Sequence, residues 1–372
     1  MNIFTVIFLI CAIIAFADKA LGAKLGLGES IDVGMSTMGA TTMAILGISS
    51  VGIAFVGRHA EQIEMLADVL PFAPSMIIGT CLCPEMGAFA LTRQMTNEPE
   101  MVVFNGVIIA GILGQTISFQ FPVFMAYLDR DYHSVVIKGF IIGITMIPFG
   151  LILGALMLGL SVTDFVSEFI PVLIMCLLLG IGMIKAQTAT VKIVSGIAKI
   201  IQIIIYLPLI IVLIGVFVPF FEYAEDSHVY DAMIVILKCT IIICGALSLS
   251  DVFIRVFGKQ LSCIAKRLGV NEVSVMAFIL NPVNSLAILP LYRKMDEKGR
   301  LMNSAFSVSG AYFLGGQMGF VSSAVNDGYF LMAFISAKVL CGLLSMFTAY
   351  KLYPYFTEVM LGKKENSTEE PE

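Results

Sequence analysis

The chain contains no tryptophan, three histidines and little charge, with only 13% of its 372 residues being Asp, Glu, Lys or Arg. Soluble globular domains carry roughly 25% charged residues, so this composition excludes one. His59, His133 and His228 fall in loop-like stretches, and none stands beside a second ligand or a nucleophile. HExxH, GxSxG and P-loop patterns are missing, and the glycine patches at Gly111–Gly114 and Gly315-Gly316 lack the strand–loop–helix setting of a nucleotide site. Cys81 and Cys83 form a CxC with no second Cys or His pair at metal-ligand spacing, so the eight cysteines read as buried thiols. No enzyme, cofactor or metal site is expected. The net charge of −5 comes partly from the tail KKENSTEEPE and points to no nucleic-acid partner. That tail, over 361–372, is expected to be disordered.

Apolar runs fill the rest: 58% of residues are hydrophobic and mean hydropathy is +0.95. Eleven apolar segments fall near 2–17, 34–57, 71–92, 101–128, 135–160, 168–184, 193–221, 230–254, 270–292, 301–325 and 328–353. Most are long enough to span a bilayer. The first ends Ala-Phe-Ala before Asp18, as a signal peptide would, but no Lys or Arg precedes it, so a retained helix is expected. Cytoplasmic loops carry the Lys/Arg excess. Eleven plain spans conflict with that rule, because Lys259, Lys266 and Arg267 precede segment nine while Arg293, Lys294, Lys298 and Arg300 follow it. A re-entrant segment nine removes the conflict.

An internal duplication extends this to segment three. VSVMAFILNPVNSLAILPLYRKM (273–295) lies over the stretch ending at Met95, with Met76 on Met276, Leu91 on Leu291 and Arg93 on Arg293. LGISSVGIAFVGR (46–58) lies over LSLSDVFIRVFGK (247–259), and Gly114-Gln115 recurs as Gly316-Gln317. Both candidate hairpins break at their centres, at Cys83-Pro84-Glu85 and at 281–285, where proline removes a donor and stops each arm. Non-helical backbone at such depth is tolerated only when buried in protein or facing water, so each break should line a midplane cavity. The expected fold is all-α: one transmembrane domain over 1–360 with about nine spanning helices and an inverted-topology repeat (34–160 and 230–353). The N-terminus would lie outside and the C-terminus in the cytoplasm, and 58–70 and 258–269 would lie along the interface.

Glu85 is the sharpest candidate, because a carboxylate within an apolar hairpin is costly unless paired or hydrated. It reads as a counter-charge for a cationic solute or proton, or as a cap on the second arm. Asn281, Asn284 and Ser285 at the other tip, with Thr80 on the first arm, suit a hydroxyl-bearing solute, although capping also accounts for the tip residues. Gln115 and Gln317 are repeat-related amides that either line the pathway or bond neighbouring backbone. Lys338 lies ten or more residues inside the last segment, and either pairs with a carboxylate such as Glu85 or titrates during transport. Asp251 and Arg255 read as a surface i,i+4 ion pair.

Four stretches resemble the ethanolamine permease family over nearly the whole chain: MGATTMAILGI (38–48), PSMIIGTCLCPEMGAF (74–89), IPFGLILGALMLG (147–159) and MDEKGRLMNSAFSVSGAYFLGGQMGF (295–320). The resemblance implies ethanolamine uptake through an inner-membrane, multi-pass permease. The family carries an aspartate where Glu85 stands, so a carboxylate is kept; Asn284 falls on the first Asn of its N-N pair, and Lys338 on a family lysine. Gly316-Gln317 stands where Asp-His would be expected, which leaves room for a different small amine or a nucleoside-like solute. A looser likeness of 81–93 to the gate repeats of ferrous-iron permeases and concentrative nucleoside transporters is one of fold alone. Expected partners are the small solute, the lipid bilayer and, in a homo-oligomer, further copies of the chain. A membrane structural component without flux is the competing class, in which the tip residues would serve folding only.

Overall fold

A computed structural model describes residues 3–218, 226–325 and 327–365. In chain order the helices are α1 (Ile3–Ala20), α2 (Gly28–Arg58), α3 (Ala60–Val69), α4 (Pro74–Cys81), α5 (Phe89–Met95), α6 (Pro99–Tyr127), α7 (Arg130–Leu158), α8 (Val162–Lys185) and α9 (Gln187–Phe217). After them come α10 (Asp226–Val256), α11 (Gly258–Leu268), α12 (Glu272–Leu280), α13 (Glu297–Ser309), α14 (Gly316–Ala324) and α15 (Gly328–Glu365). Among the described residues eight helices are long and apolar enough to cross a membrane: α1, α2, α6 to α10 and α15. The chain is therefore the all-α, polytopic membrane protein that its apolar runs announce. The polar tail from residue 366 lies outside the described residues.

Burial sorts the spans into core and periphery. In α6, 94% of the most apolar window is inside the protein, whereas α8 and α9 bury 22% and 17% and present Ile and Leu outward, as lipid-facing helices do. Helices that the expected duplication would relate pack in pairs, α2 on α10 and α7 on α15. Local chemistry sets the junctions: α7 stops at Gly159 (φ 70°), and the Ser161 hydroxyl then accepts from Asp164 N at 3.1 Å to start α8.

Segment three is broken where the prolines place the break. A 100° bend separates α3 from α4; Leu82 and Cys83 are then extended, Gly87 takes φ 108°, and α5 packs beside α4. None of the α3 residues is buried, as suits a helix lying at a lipid–water interface. Segment nine also returns on itself, since Asn271 Nδ2, just ahead of α12, donates to Lys294 O at 2.7 Å. Its second arm is not the ten-residue helix expected. It consists of two short 3-10 turns, Ser285–Ile288 and Tyr292–Lys294, because Pro290 has no N–H to continue a helix begun at Ser285.

Three further expectations need correction. Segment ten is not one span: it divides into α13 and α14 around 310–315, where Tyr312 takes φ 63°. Asp251 and Arg255 do not pair with each other. Arg255 donates to Leu25 O (2.7 Å) and Gly26 O (2.8 Å), while Asp251 accepts from Ser30 Oγ, so both tie α10 to the loop that opens α2. His133 and His228 lie in the first turns of α7 and α10, not in loops.

Candidate functional site

Both breaks face one cavity. Its volume is about 570 Å³, and its wall includes Glu85 and Met86 from the first break and Val283, Asn284 and Ala287 from the second. Ser118 and Phe119 of α6, Tyr312 between α13 and α14, and Cys239 and Ile243 of α10 complete the deep end. Ser36, Thr37 and Thr41 of α2, with Gln202 and Tyr206 of α9, line the remainder. A second cavity of about 440 Å³ uses other parts of α2 and α10, with Ile45, Ser49 and Ile53 of α2 and His228, Asp231 and Val235 of α10, together with Phe89 and Arg93 of α5. Along α2 the first cavity takes residues 33–44 and the second 45–53, so the two are stacked on opposite sides of the Ala44–Ile45 level. Phe89 and Phe320, ring centroids 6.1 Å apart and edge to face, stand on the second cavity's side.

Close backbone approach holds each break in place. A Cβ on Gly114 would fall 2.3 Å from both Gly79 O and Leu82 O, and one on Gly315 would fall 1.8 Å from Val283 O. Only glycine lets α6 and the α13–α14 break lie this tightly against the two broken stretches. Backbone groups freed at one break are met at another: Leu314 N donates to Pro282 O at 2.9 Å, and Tyr312 N to Asn281 O at 3.3 Å.

The residues singled out by sequence separate into three groups. Glu85 and Asn284 line the cavity itself. Glu85 Oε2 is out of reach of solvent and has no hydrogen-bond partner, while Asn284 Oδ1 accepts from Leu286 N at 3.0 Å and so also caps its turn. Gln115, Gln317 and Lys338 form a second group, each fully buried. Lys338 Nζ donates to Gln317 Oε1 (2.5 Å), Gln115 Oε1 (2.8 Å) and Gly111 O (2.5 Å), not to Glu85. α6 winds as a π-helix here, with Gln115 N reaching back to Ala110 O, and the Gly111 carbonyl takes the lysine. Both amide nitrogens, Gln115 Nε2 and Gln317 Nε2, are left buried and unpartnered.

Asn281 and Ser285 make up the third group, beneath the second tip. Asn281 Nδ2 donates to Ser307 Oγ at 2.8 Å, Gln120 Nε2 donates to Ser285 Oγ at 2.6 Å, and Ser307 Oγ donates to Asn303 O at 2.8 Å. Thr80 stands apart, its hydroxyl donating to Ile77 O at 2.9 Å within its own helix. Sequence reasoning missed Tyr312, whose hydroxyl is buried without a partner on the cavity wall, and Gln120. Gln120 was findable as a third amide in the run that carries Gln115. Tyr312 offered no signal, because its place depends on a break that apolarity conceals. Among the described residues no group of His, Cys, Asp and Glu could hold a metal ion.

The fold and the cavity define a class, a helical, polytopic membrane protein with an internal, mostly apolar cavity between broken stretches. Residues 1–352 match the family described as Ethanolamine utilisation protein, EutH, and the chain belongs to that family. The chain is 28% identical over 327 residues to the probable ethanolamine permease EutH of Listeria monocytogenes, covering 88% of this chain and 87% of the relative. To the protein of the same name from Salmonella typhimurium it is 26% identical over 356 residues, covering 88% and 86%. To the uncharacterized protein YxeR of Bacillus subtilis it is 23% identical over 329 residues, covering 87% and 88%. No solved structure matches it.

Proposed function

We propose that the chain is a permease for ethanolamine uptake across the cell membrane, with its substrate held between the two breaks near mid-bilayer. One observation carries this reading: Glu85, a residue of the cavity wall, keeps its buried Oε2 without a hydrogen-bond partner. A buried polar atom without a partner costs about 1–3 kcal/mol, so an acceptor kept bare on a cavity wall favours a solute that brings a donor to it. Ethanolamine brings an ammonium for the carboxylate and, two carbons away, a hydroxyl. Tyr312 and Asn284 are the further groups within the cavity that can address the hydroxyl. The cavity is far larger than this solute, so the rest of it is a hydrated vestibule.

The two broken stretches act as oppositely inserted re-entrant hairpins, and the stacked cavities serve as the two faces of one pathway. In the orientation that keeps basic loops cytoplasmic, with the N-terminus outside, the larger cavity opens inward. The smaller one is the outer vestibule, closed by Phe89 and Phe320. Alternating access would part that pair while sealing the inner side.

Uptake of labelled ethanolamine into proteoliposomes tests the reading. Glu85→Gln, nearly isosteric, should abolish uptake while leaving protein yield intact, and unimpaired uptake by that variant removes Glu85 from the site. One observation favours a second reading, a different small amine. Gln317, where the family resemblance implies a histidine, is neutral and bound to Lys338. Competition by amines of graded size and hydroxyl content separates the two.

A further inference from the structure

An ammonium group has three N–H donors. Each of those on Lys338 meets an oxygen: Gly111 O at 2.5 Å, Gln317 Oε1 at 2.5 Å and Gln115 Oε1 at 2.8 Å. Phe334 lies on another side, its ring centre 5.4 Å from Nζ. No donor remains for Glu85. Among the described residues the ion pairs within 4.0 Å are Lys19–Asp32 and Arg293–Asp129, so Glu85 and Lys338 do not close one. Two of the three oxygens belong to amides at duplicated positions, and the third is a backbone carbonyl in the π-wound turn of α6. Neutral carbonyl oxygens converging on a point in a protein interior are how proteins replace the hydration shell of a monovalent metal cation.

We propose that Lys338 is a tethered cation: its ammonium fills a three-oxygen monovalent-cation site between the two repeats and does the work of a dissolved Na+ or K+ ion. The argument rests on reading Glu85 as the acceptor of the substrate ammonium. The oxygen cage takes every donor of the lysine and so stops it from collapsing onto Glu85. A substrate therefore finds Glu85 unoccupied by the lysine. Because the cation is covalently attached, transport by the native chain needs no sodium or potassium.

Truncation by Lys338→Ala opens the site and leaves its oxygens. In proteoliposomes with N-methylglucamine as the bulk cation, native protein should take up ethanolamine equally well with or without added Na+ or K+. K338A should lose uptake about ten-fold or more in N-methylglucamine and recover it when Na+ or K+ is added. A second readout needs no substrate: purified K338A should melt about 3–6 °C higher in the rescuing ion, by binding linkage, whereas native protein should not shift. Lys338→Met fills the site without charge and should stay inactive in every medium. The proposal is overturned if K338A gains neither uptake nor melting temperature in Na+ or K+, if K338M transports like native protein, or if native uptake itself requires either ion. Should native protein carry no ethanolamine at all, the substrate reading falls, and the melting comparison alone decides for or against the cation site. Should K338A fail to fold, K338M and the ion dependence of native uptake decide it.

Discussion

Glu168 reaches across from α8 to hold the base of the first broken stretch, accepting from Ala73 N at 2.7 Å and from Asn105 Nδ2 at 3.1 Å. The second stretch is held by Asp296, at the end of its own return arm, which accepts from Asn271 N at 2.9 Å and Ser274 Oγ at 2.6 Å. One base is thus tied to a peripheral helix by a buried carboxylate, and the other closes on itself in a half-buried place. The spans that follow differ in the opposite sense. α6 runs unbroken through π turns, while its duplicate divides into α13 and α14 at Tyr312. Each copy keeps one irregular element close to the cavity and one rigid support, but the roles are shared out differently. The two broken stretches thus bring unlike groups to one cavity wall, a carboxylate from the first and an amide from the second.

The contrast between the bases carries the largest expected effect. Glu168→Ala leaves Ala73 N–H without an acceptor and removes one from Asn105, at a cost of roughly 2–4 kcal/mol. Asp296→Ala exposes donors that water can reach and should cost about 1 kcal/mol, as the loss of a helix cap does. With no tryptophan to follow, a dye that reacts with the buried thiols of Cys83, Cys176 and Cys341 can report the melting of both variants. Equal losses would break the comparison. Tyr312→Phe sharpens it at the tips: stability should hold within about 0.5 kcal/mol, because the hydroxyl has no partner to lose. If that hydroxyl binds solute, KM should rise about three- to ten-fold, the worth of one hydrogen bond. An unchanged KM would make Tyr312 a wedge and nothing more. The smallest effect belongs to the Phe89–Phe320 pair. Phe320→Ala should speed ethanolamine exchange across loaded vesicles about two-fold, since an edge-to-face contact contributes ~0.5 kcal/mol. Slower exchange would place the barrier elsewhere.

Much of the scaffold was legible before any coordinates. Eight of the eleven apolar segments are the eight long helices, and Cys83-Pro84-Glu85 and Asn281-Pro282 mark the breaks, because proline acts through local backbone chemistry alone. The split at 310–315 was hidden, since a run such as Ser-Gly-Ala-Tyr-Phe-Leu-Gly-Gly stays apolar enough to pass for helix. Pro290 is visible in the sequence, and its missing N–H accounts for the short turns of the second arm. At the site, Glu85 was identifiable as a charge in apolar surroundings. The cavity-lining hydroxyls of α2 were not, because Thr37 and Thr41 each bond a carbonyl of their own helix and leave no pattern in the sequence. Glu168 stands at the first position of segment six, where nothing in the local sequence marks it out. Its role depends on a contact with Ala73, 95 residues distant, which no local rule anticipates.

The outlying position of α3 has a practical consequence. Since none of its residues is fully buried and only Ile63 packs on a core cluster, the surrounding amphiphile would help to order this helix, and the 100° bend would pass any tilt to Pro74 and the first arm. Micelles and bilayers of different headgroup would then set the attitude of Glu85 differently. Turnover should vary with bilayer thickness and surface charge, and an inactive detergent preparation would first call for a change of lipid.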